Sequence, residues 1–175
     1  MISKAKLIHL PYSGQYLEKT YDISSPWNSQ DWTWVKFENE DFTEWCGVFR
    51  GSPRALAISK KHNSVLVLTS DYFYQLDRLN GKLTEYETQP QYQSLTVTPS
   101  GDFLIADDYY IEIIGSTLID KKMVESPIEM DTIRFHSWTE NKLSITSHEF
   151  LNWDNQLELE FDSKTLKLTM ISSYR

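Results

Sequence analysis

Three stretches decide the fold when set one above another: ALAISKKHNSVLVLTSDYFYQLD (55–77), SLTVTPSGDFLIADDYYIEII (94–114) and TIRFHSWTENKLSITSHEFLNW (132–153). Ile58, Val97 and Phe135 fall at matching places, 39 and 38 residues apart. Each stretch reads as strand, tight turn, strand, polar corner and the start of another strand. The corners align as Thr69-Ser70-Asp71-Tyr72, Asp107-Asp108-Tyr109-Tyr110 and Thr146-Ser147-His148-Glu149-Phe150. A period near 40 residues with about four strands per unit is what propeller blades show.

Outward from these stretches the β signal continues. YIEII (110–114), LELEF (157–161) and TLKLTM (165–170) are short and β-rich, and the last two alternate strictly, as half-buried strands do. Asn80-Gly81, Pro99-Ser100-Gly101, Asp154-Asn155 and Asp162-Ser163 supply turns between them. Pro90 and Pro127 each precede a unit's first strand, where a proline removes no central ladder bond. Helix periodicity with caps is scarce. One four-stranded sheet cannot cover both of its faces, so such units come in stacked series.

Residues 1–50 carry divergent strand-like segments, KAKLIHL, QYLEKTYDI and WTWVKF, rich in tryptophan (Trp27, Trp32, Trp34, Trp45). They have room for a fourth unit or for strands that cover an open end. The expected fold is therefore all-β: antiparallel sheets in blade-like repeats of about 38–39 residues, forming a small or incomplete propeller-like assembly. The alternative is a β-sandwich whose hairpins happen to look periodic. The chain reads as a single domain over 1–175, with units near 53–90, 91–127 and 128–175. It is too short for the seven blades of a typical WD-type propeller and has neither the GH nor the WD signature.

Composition narrows the function. The 175 residues have a formal net charge of −8. Such a surface repels phosphate backbones, because nucleic-acid binding needs Lys and Arg to displace counterions. It draws in a basic partner and speeds the encounter. Between Lys82 and Lys121 there is no Lys, Arg or His, while Glu85, Glu87, Asp102, Asp107, Asp108, Glu112 and Asp120 fall in that interval. A second acidic knot is Glu38, Glu40, Asp41 and Glu44. Cys46 is the one cysteine, which fits a reducing compartment. The N-terminus lacks the apolar run of a signal peptide, and no stretch approaches the ~20 apolar residues of a membrane span. The expectation is a cytoplasmic protein with no membrane and no nucleic-acid partner.

Catalytic patterns are missing. His9, His62, His136 and His148 form neither HxH nor HExxH, and Cys46 has no partner thiol for a zinc site. Asp107 and Asp108 are adjacent, so on a strand they would point to opposite faces. There is no GxSxG and no glycine-rich phosphate loop. Cys46, between Trp45 and Gly47-Val48-Phe49, reads as a buried, chemically inert thiol. The chain is thus expected not to be an enzyme and to use no catalytic, metal or cofactor-binding residue.

Binding remains. Tyrosine and tryptophan dominate interface hot spots. The best candidates for exposure are tyrosines at the repeated corners, beside acidic residues. The candidate partner-binding residues are Asp71, Tyr72, Asp107, Asp108, Tyr109, Tyr110 and Glu149. A rim carrying Asp and Tyr suits a partner rich in Lys and Arg; plain turn chemistry is the rival explanation of the same residues.

Taken with the segments CGVFRGSPRALAIS (46–59) and YQSLTVTPSGDFLIADDYY (92–110), the chain resembles the small acidic immunity proteins of bacterial contact-dependent growth inhibition and related polymorphic-toxin systems. That family is diverse in fold, and no residue is carried over by motif. The resemblance implies a protein that neutralises a cognate toxin in the producing cell's cytoplasm. Many such toxins are basic nucleases, EndoU-type ribonucleases among them. It further implies that acidic groups pair with the toxin's phosphate-binding Lys and Arg and block its substrate groove. A non-catalytic interaction scaffold and a carbohydrate-binding β domain are the alternatives.

Overall fold

The computed structural model describes residues 1–174. They form sixteen strands, and no helix occurs among the described residues. The strands make four sheets of four. The second contains β5 (Pro53–Ser59), β6 (Ser64–Thr69), β7 (Tyr72–Asp77) and β8 (Leu83–Thr88). The third contains β9 (Ser94–Val97), β10 (Phe103–Ala106), β11 (Ile111–Ile114) and β12 (Lys121–Met123). The fourth contains β13 (Met130–Thr139), β14 (Lys142–Glu149), β15 (Asn152–Asp162) and β16 (Lys167–Tyr174).

Each of these three sheets is an antiparallel meander in chain order. The repeat read from the sequence is this meander. Ile58 pairs with Val65, Val97 with Phe103 and Phe135 with Ile145, all between the first and second strands of their sheets. No strand is shared or exchanged between sheets. The sheets are therefore blade-like, as a propeller-type repeat requires, and lack the crossing connections of a Greek-key sandwich.

Residues 1–50 form a complete fourth sheet of different topology. Its order is β1-β3-β4-β2, from β1 (Ile2–Ile8), β2 (Leu17–Tyr21), β3 (Trp32–Asn39) and β4 (Glu44–Arg50). The divergence expected of this segment takes the form of one parallel pairing, β2 beside β4, in an otherwise antiparallel set of sheets. Strands β1 and β2 occupy opposite edges and run the same way. The connection at 9–16 must therefore cross the sheet instead of making a hairpin.

Two compact units make up the chain, Met1–Pro90 and Gln91–Arg175. Each has its own core. In the first, Val35, Phe37 and Phe49 of the N-terminal sheet pack on Val65, Val67, Tyr74 and Leu76 of the second. Aromatic contacts dominate: Tyr21 stacks on Phe49 at 4.5 Å, and Phe49 meets Tyr74 edge-on at 5.1 Å. Gly47 is required there, since a Cβ would lie 2.6 Å from Phe49 and 2.7 Å from Phe37. In the second unit, Leu104 and Ile111 pack on Ile145, Leu157, Leu159 and Phe161.

Burial patterns follow from strand position. SVLVLT (β6) and FLIA (β10), inner strands of their sheets, are buried at every residue. Strand β14 alternates over its first six residues, and β15 from Asn155 to Phe161, because only one face of their sheet meets the core.

Candidate functional site

The corner between β6 and β7 does not offer a binding surface. Asp71 and Tyr72 are 9% and 2% exposed, which corrects the expectation that they face a partner. The reason is the loop at 22–31, which packs over this corner. Asp71 accepts a hydrogen bond from the Ser29 amide at 2.7 Å and another from the Ser70 hydroxyl at 2.7 Å. The Tyr72 hydroxyl donates to Asn28 Oδ1 at 2.5 Å and also lies 3.1 Å from the Ile23 carbonyl. Arg50 fastens the loop's near end. It donates to both Asp22 oxygens, at 3.1 and 2.8 Å, and this bonding holds the Asp22 carboxyl below the usual carboxylate range.

A stability test follows. Asp71→Ala leaves the Ser29 amide without its acceptor, and hydrogen bonds to a charged group contribute ~1.5–3 kcal/mol each. The variant should lose about 2–3 kcal/mol in urea unfolding, on that scale, and bind any partner as tightly as the wild type. A drop in affinity at unchanged stability would return Asp71 to the interface.

The corners of the second unit are different. Between β10 and β11, Asp107 Oδ1 accepts from the amides of Tyr109 and Tyr110, each at 2.7 Å. Asp107 is therefore a turn-forming side chain that fixes the two tyrosines beside it. Both rings stand in solvent, 46% and 54% exposed. Between β14 and β15, Glu149 serves its own turn, accepting from Asn152 at 2.7 Å and Asn155 at 2.8 Å. The next residue, Phe150, carries the exposed ring. Its amide donates to the Glu129 carbonyl at 3.0 Å, which ties this corner to the segment leading into β13.

These two corners meet. Tyr109 lies edge-on to Phe150, with centroids 6.0 Å apart and planes at 78°. Tyr109 and Tyr110 are 6.4 Å apart at 62°. The three rings border a groove of about 750 Å³, with Met123, Ile128 and Met130 among its apolar lining and Glu125 and Glu129 as its charges. No Lys, Arg or His lines it. Glu125 and Glu129 are exposed, and neither has a cationic partner among the described residues. Leu151 and Trp153, which follow Phe150 in the chain, are 79% and 68% exposed.

Of the candidates named from the sequence, Tyr109 and Tyr110 stand exposed at their corner, with Asp108 half-exposed beside them. Phe150, Glu125, Glu129 and Met130 were missed. Glu125 and Glu129 lie just past Lys121 and Lys122, which had closed the acidic interval. Phe150 was legible only as the third corner's counterpart of the tyrosines.

Elsewhere the chemistry is quiet. Cys46 is fully buried, and burial pushes its thiol up to about 11, so it is protonated at neutral pH. Among the described residues no three His, Cys, Asp or Glu side chains come together as metal ligands. Among the described residues no helix is long and apolar enough to cross a membrane.

No protein-family model matches the chain, and no curated protein matches it. Among solved structures it is similar to the N-terminal domain of Nup159, at 12% identity and a TM-score of 0.47. The likeness covers 70% of this chain and 34% of that one. Overlap at this level is too slight to carry a role from one protein to the other.

Proposed function

We propose that this protein is a non-catalytic binding module that takes a basic protein partner against the groove bordered by Tyr109, Tyr110 and Phe150. The sharper form of the reading makes the partner a toxin domain, a basic nuclease such as an EndoU-type ribonuclease, and this chain its immunity protein in the cytoplasm. The observation that supports it is the groove's lining: three exposed rings, two unpaired carboxylates and no cation. Aromatic rings at a pinned corner supply contact area at little entropic cost. A nuclease carries Lys and Arg for its substrate's phosphates. An acidic, aromatic surface seated on those groups blocks the substrate by charge and bulk together.

Charge reversal tests this. Asp107 is unsuitable, because its carboxylate holds the turn. Asp108→Lys with Glu125→Lys and Glu129→Lys reverses the groove and leaves that turn alone. The assay mixes the protein with the C-terminal toxin domain encoded beside it and follows RNA cleavage in low and high salt. Protection by the wild type should form quickly and slow as salt rises, because exposed charges steer the encounter. The triple variant should protect at least ~30-fold less well, the scale of losing a close charge pair. Equal protection by the variant would remove the groove as the interface. Absence of protection by the wild type would remove the immunity reading.

A further inference from the structure

We infer that the groove reads one cationic side chain of its partner, a lysine or arginine head group inserted against Tyr109, Tyr110 and Phe150; this rests on the reading of the groove as an interface. Ring geometry carries the case. Tyr109 stands at 62° to Tyr110 and 78° to Phe150, so its ring is steeply angled to each of the other two and the rings do not make one flat platform. A cation is attracted to ring faces within about 6 Å of the centroid, and rings of different orientation offer it more than one face. Glu125 and Glu129 add charge of the matching sign beside them.

The rest of the molecule shows how its own cations are used. Arg50 lies 3.6 Å over Trp32, Lys121 4.9 Å over Tyr92, and Lys36 5.9 Å over Tyr16, while Lys19 reaches Tyr21 at 5.5 Å and Trp45 at 6.0 Å. Among the described residues no Lys or Arg lies over Tyr109, Tyr110 or Phe150. The three are held ready nonetheless. Asp107 pins the tyrosine backbone, and the Glu129 carbonyl pins Phe150. An apolar guest would leave Glu125 and Glu129 without partners at a closed interface, an arrangement that disfavours binding. A cationic guest satisfies rings and carboxylates together.

The test uses the whole chain and two small probes of equal shape, choline and its uncharged isostere 3,3-dimethyl-1-butanol. Each is titrated while the ring resonances of Tyr109, Tyr110 and Phe150 are followed by NMR. Choline should shift these signals saturably in the millimolar range and bind at least about fivefold more tightly than the isostere, as expected for a cation–π contribution of ~1 kcal/mol. Tyr109→Leu should abolish the shifts at the other two rings. Equal or tighter binding of the isostere would make the groove an apolar pocket and overturn the proposal. So would the lack of a saturable shift with either probe. Neither result needs a variant that folds. If choline fails while charge reversal still cancels protection, the cation cage falls and the interface reading stands.

Discussion

Phe161→Ala should remove about 3–5 kcal/mol from the unfolding free energy, the range for emptying a buried aromatic site. Phe161 is fully buried in the core shared by β10, β11 and β13–β16. Its ring meets Trp138 edge-on at 6.4 Å, and its strand is paired on both sides, with Leu143 on β14 and Leu168 on β16. Neighbouring strands held by ladders cannot collapse far into the space, so most of the cavity would persist. Domains of this size have only ~5–15 kcal/mol in hand, so the variant should approach unfolding at growth temperature. Urea titration followed by tryptophan fluorescence and by circular dichroism measures it. A loss under ~1 kcal/mol would mean that this core is not packed as described.

The second large effect falls on binding and leaves stability alone. Tyr109→Ala with Phe150→Ala removes two of the three rings at the groove. Both are substantially exposed, so the fold loses little apolar burial. Hot-spot aromatics contribute ~2 kcal/mol or more each when truncated, a factor of about 30 in affinity. The rings touch, so their effects should fall short of additive. Titration calorimetry against the proposed toxin partner should show at least ~30-fold weaker binding at a melting temperature within a few degrees of the wild type. Unchanged affinity would place the interface elsewhere on the surface.

Much of the fold was legible because three of the four sheets are built from neighbours. In a meander each strand pairs with the next, so strand, turn and strand recur in the sequence with the period of the structure. Ile58, Val97 and Phe135 mark it because each lies in the first strand of its sheet and pairs with the second. The N-terminal sheet was not legible in the same way. LEKTY carries no local sign that it will lie parallel to Glu44–Arg50 instead of folding back on β1. The candidate site divides for a similar reason. Asp71-Tyr72 and Asp108-Tyr109 look alike as dipeptides. What separates them is a loop more than forty positions away in sequence, Ile23 to Ser29, which covers one corner and has no counterpart at the other. Local pattern identifies a corner; only the tertiary neighbour decides whether its tyrosine faces protein or water.

The crossed N-terminal sheet also bears on the order of assembly during synthesis. In the meanders a strand finds its partner almost at once: Ser59 pairs with Ser64. Strand β1 leaves the ribosome well before its partner: Ile8 must wait for Trp34 and Ile2 for Asn39. Strand β2 waits as well, Leu17 for Trp45. Each wait means closing a longer loop before any ladder bond rewards it. Through that interval the nascent chain holds two unpaired strands, one of them carrying Leu7 and Ile8 into a connection with Leu10 and Tyr12 exposed. Unpaired edges invite pairing with other chains. Lys4, Lys6 and Lys19, placed within those two strands, put like charges on that vulnerable edge until β3 and β4 arrive.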